Sequence, residues 1–149
     1  MKKILMAVII CLLTASFVCA AEKGTAKEAQ DLVAKAIAYY NANGKDKAFA
    51  AINEPKGQFT NKDLYVFVFD LKYVCLAHGA NKALIGKNLG ELKDSHGKQF
   101  MKIMIDDAKT KGKGSVDYFW TNPTTKKIDE KTTFYTKAED FVFACGIYK

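Results

Sequence analysis

Residues 118–135, YFWTNPTTKKIDEKTTFY, join two short aromatic runs through a polar loop that carries Asn122 and Pro123. Val116, Tyr118 and Trp120 share one parity, and Lys131, Thr133 and Tyr135 share another. A hairpin register that matches the two sets would put Tyr118, Trp120, Lys131 and Tyr135 on one face. A lysine there brings three donors and a positive charge, which suit a carboxylate. Tyrosine hydroxyls and the tryptophan N–H add aimed donors. Aromatic faces hold an ammonium by about 0.5–2 kcal/mol, more when water is excluded. The competing reading makes the rings core filler and Lys131, which begins the second run, a solvated residue at the loop end.

Other chemistry-bearing residues are few. His78 stands beside Gly79, either as a hydrogen-bonding group at a pocket or as a turn histidine. Phe67 and Phe69 suit a core or a pocket floor. Asn81 and Lys87 belong to a turn-rich segment, and His96 sits in an exposed Asp-Ser-His-Gly turn. Two histidines and no paired Cys-x-x-Cys give no metal site, and no cofactor is expected. Ser95 and Ser115 lie in no nucleophile elbow, so catalytic residues are expected to be none. Cys75 and Cys145 lie in apolar strand contexts that favour inert buried thiols.

The elements that must position these groups are legible from periodicity. AKEAQDLVAKAIAYYNA, residues 26–42, aligns Leu32, Val33, Ala36, Ile37 and Tyr40 on one helical face. Asn43-Gly44 ends that helix. A short helix over Asp46–Ile52 turns Phe49 and Ile52 inward, and Pro55 and Gly57 then break the chain. LYVFVFD, 64–70, is apolar on both faces and reads as a central strand covered on both sides. YVCLAH, 73–78, is its hairpin partner. A helix over about Lys98–Lys111 places Phe100, Ile103, Met104 and Ala108 inward. Strands Ser115–Trp120, Thr132–Ala138 and Phe141–Tyr148 close an α+β domain with an antiparallel sheet.

The first residues have a different character. Lys2 and Lys3 precede an apolar run, Ile4–Leu13, and small residues come next at Ala20 and Ala21. Residues 1–20 read as a signal peptide cleaved near Ala20, which predicts an exported, periplasmic protein. The mature chain would then have roughly 130 residues, the size of one domain. No later apolar stretch approaches membrane-spanning length. The net charge of +7 falls to +5 without Lys2 and Lys3, and arginine is absent. That argues against specific nucleic-acid readout, which leans on bidentate arginine.

VFVFDLKYVCLAHGANKALIGKNLGELKDSHGKQF, then VDYFWTNPTTKK with Lys131 and Phe134-Tyr135 after it, then a terminal CGIYK, resembles the single Cache domain family. The likeness is to exported, stand-alone relatives of chemoreceptor and sensor-kinase ectodomains, with residues 26–149 as a single domain. It implies a PAS-like fold: a long N-terminal helix on a five-stranded antiparallel sheet in order 2-1-5-4-3. It also implies a small-molecule pocket on the other face, with carboxylates among frequent ligands and a membrane receptor or kinase as partner. On that reading the ligand-binding residues are Tyr118, Trp120, Lys131, Tyr135, His78 and Phe67. The same strand order sets Cys75 and Cys145 two strand spacings apart, about 9.5 Å. A disulfide spans Cα atoms only to about 7 Å, so no bond is expected. Two further functions remain open from the residues: an exported α+β enzyme with a cone-shaped pocket using His78, and a structural or adhesive subunit.

Overall fold

In the computed structural model, which describes residues 22–149, helix α1 (Ala26–Asn43) starts at a reciprocal cap. Thr25 Oγ1 accepts from the Glu28 N–H, and Glu28 Oε2 accepts from the Thr25 N–H. Ala29, Val33, Ala36 and Tyr40 form its buried stripe, with Leu32 and Ile37 packed at the margins. Gly44, at φ +81°, ends it and leads into α2 (Lys45–Ile52), which buries Ala48, Phe49 and Ile52. The leader expected over residues 1–20 lies outside the described residues.

The sheet contains β1 (Thr60–Asn61), β2 (Leu64–Asp70), β3 (Cys75–His78), β4 (Lys113–Thr121), β5 (Ile128–Ala138) and β6 (Phe141–Tyr148). Its long strands run β3-β2-β6-β5-β4, every neighbour antiparallel. This is the expected five-strand order with one addition. The two-residue β1 pairs with the start of β2, and the Phe59 carbonyl and Gly79 N–H both bond Val66. β1 and β3 therefore share one edge of β2.

Period-two alternation explains why β2 is apolar throughout. Tyr65, Phe67 and Phe69 enter one core, and Leu64, Val66 and Val68 enter the other. The second core lies under α1 and α2 with Phe143 and Cys145 of β6. The first lies under α3 (Phe100–Lys111) with Val142, Ala144 and Tyr148.

Two sequence expectations change here. Ile103 is 46% exposed, not inward. The buried stripe of α3 is Phe100, Met101, Met104, Ile105 and Ala108, and Ile103 points roughly 130° from its centre at 3.6 residues per turn. Lys131 does not begin its strand. β5 starts three residues earlier at Ile128, because the β4 ladder continues through Phe119↔Glu130 and Trp120↔Asp129 to Thr121↔Ile128. Lys131 is consequently an interior residue of a strand paired on both sides, with no exposed surface.

Candidate functional site

The β4–β5 register opposes Tyr118 to Lys131 and Val116 to Thr133, and the β5–β6 register opposes Lys131 to Tyr148. Tyr118, Lys131 and Tyr148 thus form one row across three strands, on the α3 side of the sheet. Gly146, opposite Thr133, leaves space for the lysine stem: a Cβ there would collide with Lys131 Cε and Thr133 Oγ1. From β2, Tyr65 reaches over the end of that stem. Lys131 Nζ donates to Tyr65 Oη at 2.6 Å and to Tyr148 Oη at 3.4 Å. It lies 4.1 Å from the Tyr65 ring centroid, 4.7 Å from that of Tyr148 and 5.6 Å from that of Phe67.

This surrounding is unusual for a lysine. Among the described residues it forms no ion pair; every carboxylate that pairs with a lysine does so elsewhere. Burial without a counter-charge disfavours the ammonium and lowers its pKa from 10.5 to about 7. A nearby negative charge from Asp63 acts the other way, and burial outweighs it. Burial also raises Tyr65, Tyr118 and Tyr148, which stay neutral hydroxyls. Tyr148 donates onward to the Thr121 carbonyl at 3.0 Å, and the Tyr118 hydroxyl bonds Thr133 Oγ1 at 2.9 Å.

Above this row lies a narrow slot. Tyr65, Phe67, His78, Phe100, Tyr118 and Trp120 are among its walls, and about 10 Å³ remains between them, close to one water. Phe100 stacks on Tyr118 at 4.1 Å between centroids and meets Trp120 edge-on at 5.4 Å. Tyr65, His78 and Trp120 also line an outer recess of about 280 Å³, rimmed by Asn81, Pro123 and Lys126. The slot and the recess therefore stand on opposite sides of the same three side chains, Tyr65, His78 and Trp120. A wider surface recess of about 590 Å³ lies beside Tyr135 and α1, away from the buried polar row. The smaller site is the candidate because it borders the tyrosine that holds the uncompensated lysine.

His78 ends β3 with its orientation fixed. Its Nδ1 accepts from the backbone N–H groups of Ala80 (3.2 Å) and Asn81 (2.9 Å), so the neutral ring carries its proton on Nε2. Its ring stacks on Phe67 at 5.5 Å. Burial first, then the Lys131 charge, lowers its pKa to about 3. At neutral pH it is a fixed donor and a poor general base.

The structure brings Tyr118, Trp120, His78 and Phe67 to the slot and sets Lys131 directly behind Tyr65. Tyr135 shares the face but not the slot. It stands at the other end of β5, its hydroxyl bonded to Asp107 of α3, and it borders the recess beside α1. Asn81 is exposed and caps a short 3₁₀ turn through Ala83 N–H, while the Lys87 side chain points to solvent. Tyr65 and Tyr148, the two groups that hold Lys131, were not singled out from sequence. Tyr65 shares parity with Phe67 and was detectable by that signal. Tyr148 becomes visible only when β6 is known to lie beside β5.

A long N-terminal helix packed on one face of an antiparallel sheet is the architecture of a PAS-like sensor domain. The chain belongs to the single Cache domain 2 family, whose family model matches residues 18–149. A methyl-accepting chemotaxis protein from Vibrio parahaemolyticus is 26% identical, with a TM-score of 0.69 over 82% of this chain and 86% of that one. A periplasmic sensor domain of a chemotaxis protein is 24% identical, with a TM-score of 0.64 over 82% and 88%. A Cache chemosensory domain solved for the structural basis of its carboxylic acid recognition is 22% identical, with a TM-score of 0.65 over 82% and 86%. These last two share the fold. No curated protein sequence matches the chain. Among the described residues, no helix is long and apolar enough to cross a membrane.

Proposed function

We propose that this protein is an exported sensor domain that captures a small organic anion, a carboxylate, and passes the occupied state to a membrane receptor or kinase. The observation that carries this reading is Lys131, a buried amine with hydroxyl partners only, one tyrosine away from a slot that shares its walls with a surface recess. A carboxylate entering between Tyr65, His78 and Trp120 would supply the missing negative charge. Tyr65 would relay between it and Nζ, and His78 Nε2–H would donate from the side. The slot has room for about one water, so a carboxylate would enter only as its walls move apart, with the rest of the ligand in the outer recess of about 280 Å³. Carboxylic acid recognition in the structural relative named above is in keeping with this chemistry.

The test is calorimetric titration of small carboxylates, amino acids and purines into wild type and Lys131→Met. A charge-assisted hydrogen bond is worth about 1.5–3 kcal/mol, so the variant should bind a carboxylate roughly tenfold to a hundredfold more weakly. Equal affinity in both proteins, or binding confined to uncharged ligands, would remove the anion from the proposal.

A further inference from the structure

Lys131 raises a question about how it meets a ligand. The groups that face it come from four strands. β2 contributes the Tyr65 hydroxyl and the Phe67 ring, and Asp63 just precedes that strand. β4 contributes Tyr118 across the ladder, β6 contributes Tyr148 and Cys145, and β3 contributes His78. The three tyrosines are pushed up by burial, Cys145 is pushed up to about 12, and His78 is pushed down to about 3. Around neutral pH all five are uncharged. Among the described residues, Asp63 is the one carboxylate whose charge reaches the lysine; its Oδ1 accepts from the Gly24 N–H at 2.6 Å, its Oδ2 is buried without a partner, and neither oxygen bonds Nζ. The empty site is a hydroxyl-and-ring cage with no bonded counter-ion.

We propose that Lys131 is held as a neutral amine in the empty domain, and that a carboxylate binds together with one proton taken up at Nζ. This rests on the carboxylate-binding reading above. The physical reason is linkage. An ammonium enclosed by rings and hydroxyls lacks the solvation it has in water, and a carboxylate beside it restores the balance. Whatever the anion gives the ammonium, the ammonium returns to the anion, so the two equilibria are coupled reciprocally. The proton comes from solvent and occupies the Nζ lone pair; no covalent bond to the ligand forms. The domain then responds to the concentration of anion multiplied by that of protons, which is to say to the undissociated acid.

The pH effect has a definite sign. Below about pH 7 the empty domain already carries the charge, and affinity is independent of pH. Above it, each pH unit cuts the protonated share of empty molecules about tenfold, and Kd rises about tenfold per unit until the bound form also titrates. The experiment is calorimetry with acetate, lactate and succinate from pH 6.5 to 9, each in phosphate and in Tris. It is run beside a titration of the lysine 13Cε resonance that disappears in Lys131→Met. The expected result is a Kd about tenfold weaker at pH 8.5 than at 7.5. It comes with uptake of close to one proton near pH 8.5, and a Lys131 resonance that titrates near neutrality when empty and moves upward with ligand. An acid that binds with flat affinity and no proton uptake overturns this proposal while the carboxylate reading stands. No heat from any acid at any pH overturns both, and then the empty-state resonance shows whether the neutral amine itself was misjudged.

Discussion

Replacing Lys131 with methionine should make the fold more stable at neutral pH, although it removes a fully buried hydrogen-bonding residue. Unfolded, this lysine is protonated up to 10.5; folded, only up to about 7. Between these values the unfolded chain holds one more proton, so wild-type stability rises with pH across the window. Below it the cost is constant. At 1.36 kcal/mol for each tenfold change, the cost at pH 7 is about 5 kcal/mol. Against this, methionine forfeits the bond to Tyr65, about 1 kcal/mol. Tyr65 and Tyr148 keep their mutual contact at 3.1 Å, and Tyr148 keeps its bond to Thr121, so no hydroxyl is stranded. The methionine stem tracks the lysine stem, and its sulfur packs well among rings. The net expectation is a variant more stable by about 2–4 kcal/mol at pH 7, the advantage shrinking by about 1.4 kcal/mol per unit toward pH 9. Cys75 and Cys145, raised to about 12 by burial, make stability fall only above about pH 9, at the upper edge of the range compared. Urea unfolding at pH 7, 8 and 9, followed by Trp120 fluorescence, measures it. A difference that stays constant with pH, or a variant that is less stable throughout, would refute the argument that burial holds this amine neutral.

Cys75 and Cys145 should both be free, alkylating without reductant in denaturant and resisting alkylation when folded; peptide mass mapping that finds a linked pair would contradict this. They pack in different cores on opposite sides of the sheet, and each is buried. Gly146→Ala should cost about 1–3 kcal/mol, because its new methyl meets the Lys131 stem and Thr133. Combining it with Lys131→Ala should recover part of that loss in a double-mutant cycle, and strict additivity would show that the lysine stem is not what fills the space.

The two core faces of β2, the buried stripe of α1 and the strand order implied by family likeness were all legible from sequence. The reason is that period two and period 3.6 are properties of the backbone and leave their imprint on any chain that buries one face. Parity likewise put Tyr118, Trp120 and Lys131 on one side of the sheet. The inward face of α3 was misread at Ile103, since Phe100, Met101, Met104, Ile105 and Ala108 form an apolar stripe wide enough to admit two phases. What parity does not specify is depth or company. Lys131 read as a loop-end residue because the polar run Lys126–Glu130 carries no strand signal, yet backbone pairing with β4 extends the ladder through it. Tyr135 has the same parity as Lys131 but stands four residues along the strand, over ten ångströms at about 3.4 Å each, and so meets Asp107 of α3 instead of the slot. The cage of Tyr65, Tyr148 and Phe67 around the lysine joins residues up to 83 apart in the chain, and only the pairing of β2 and β5 with β6 brings them together. Composition sets the charge on a lysine in water; the absence of a partner in the folded core decides whether it keeps that charge.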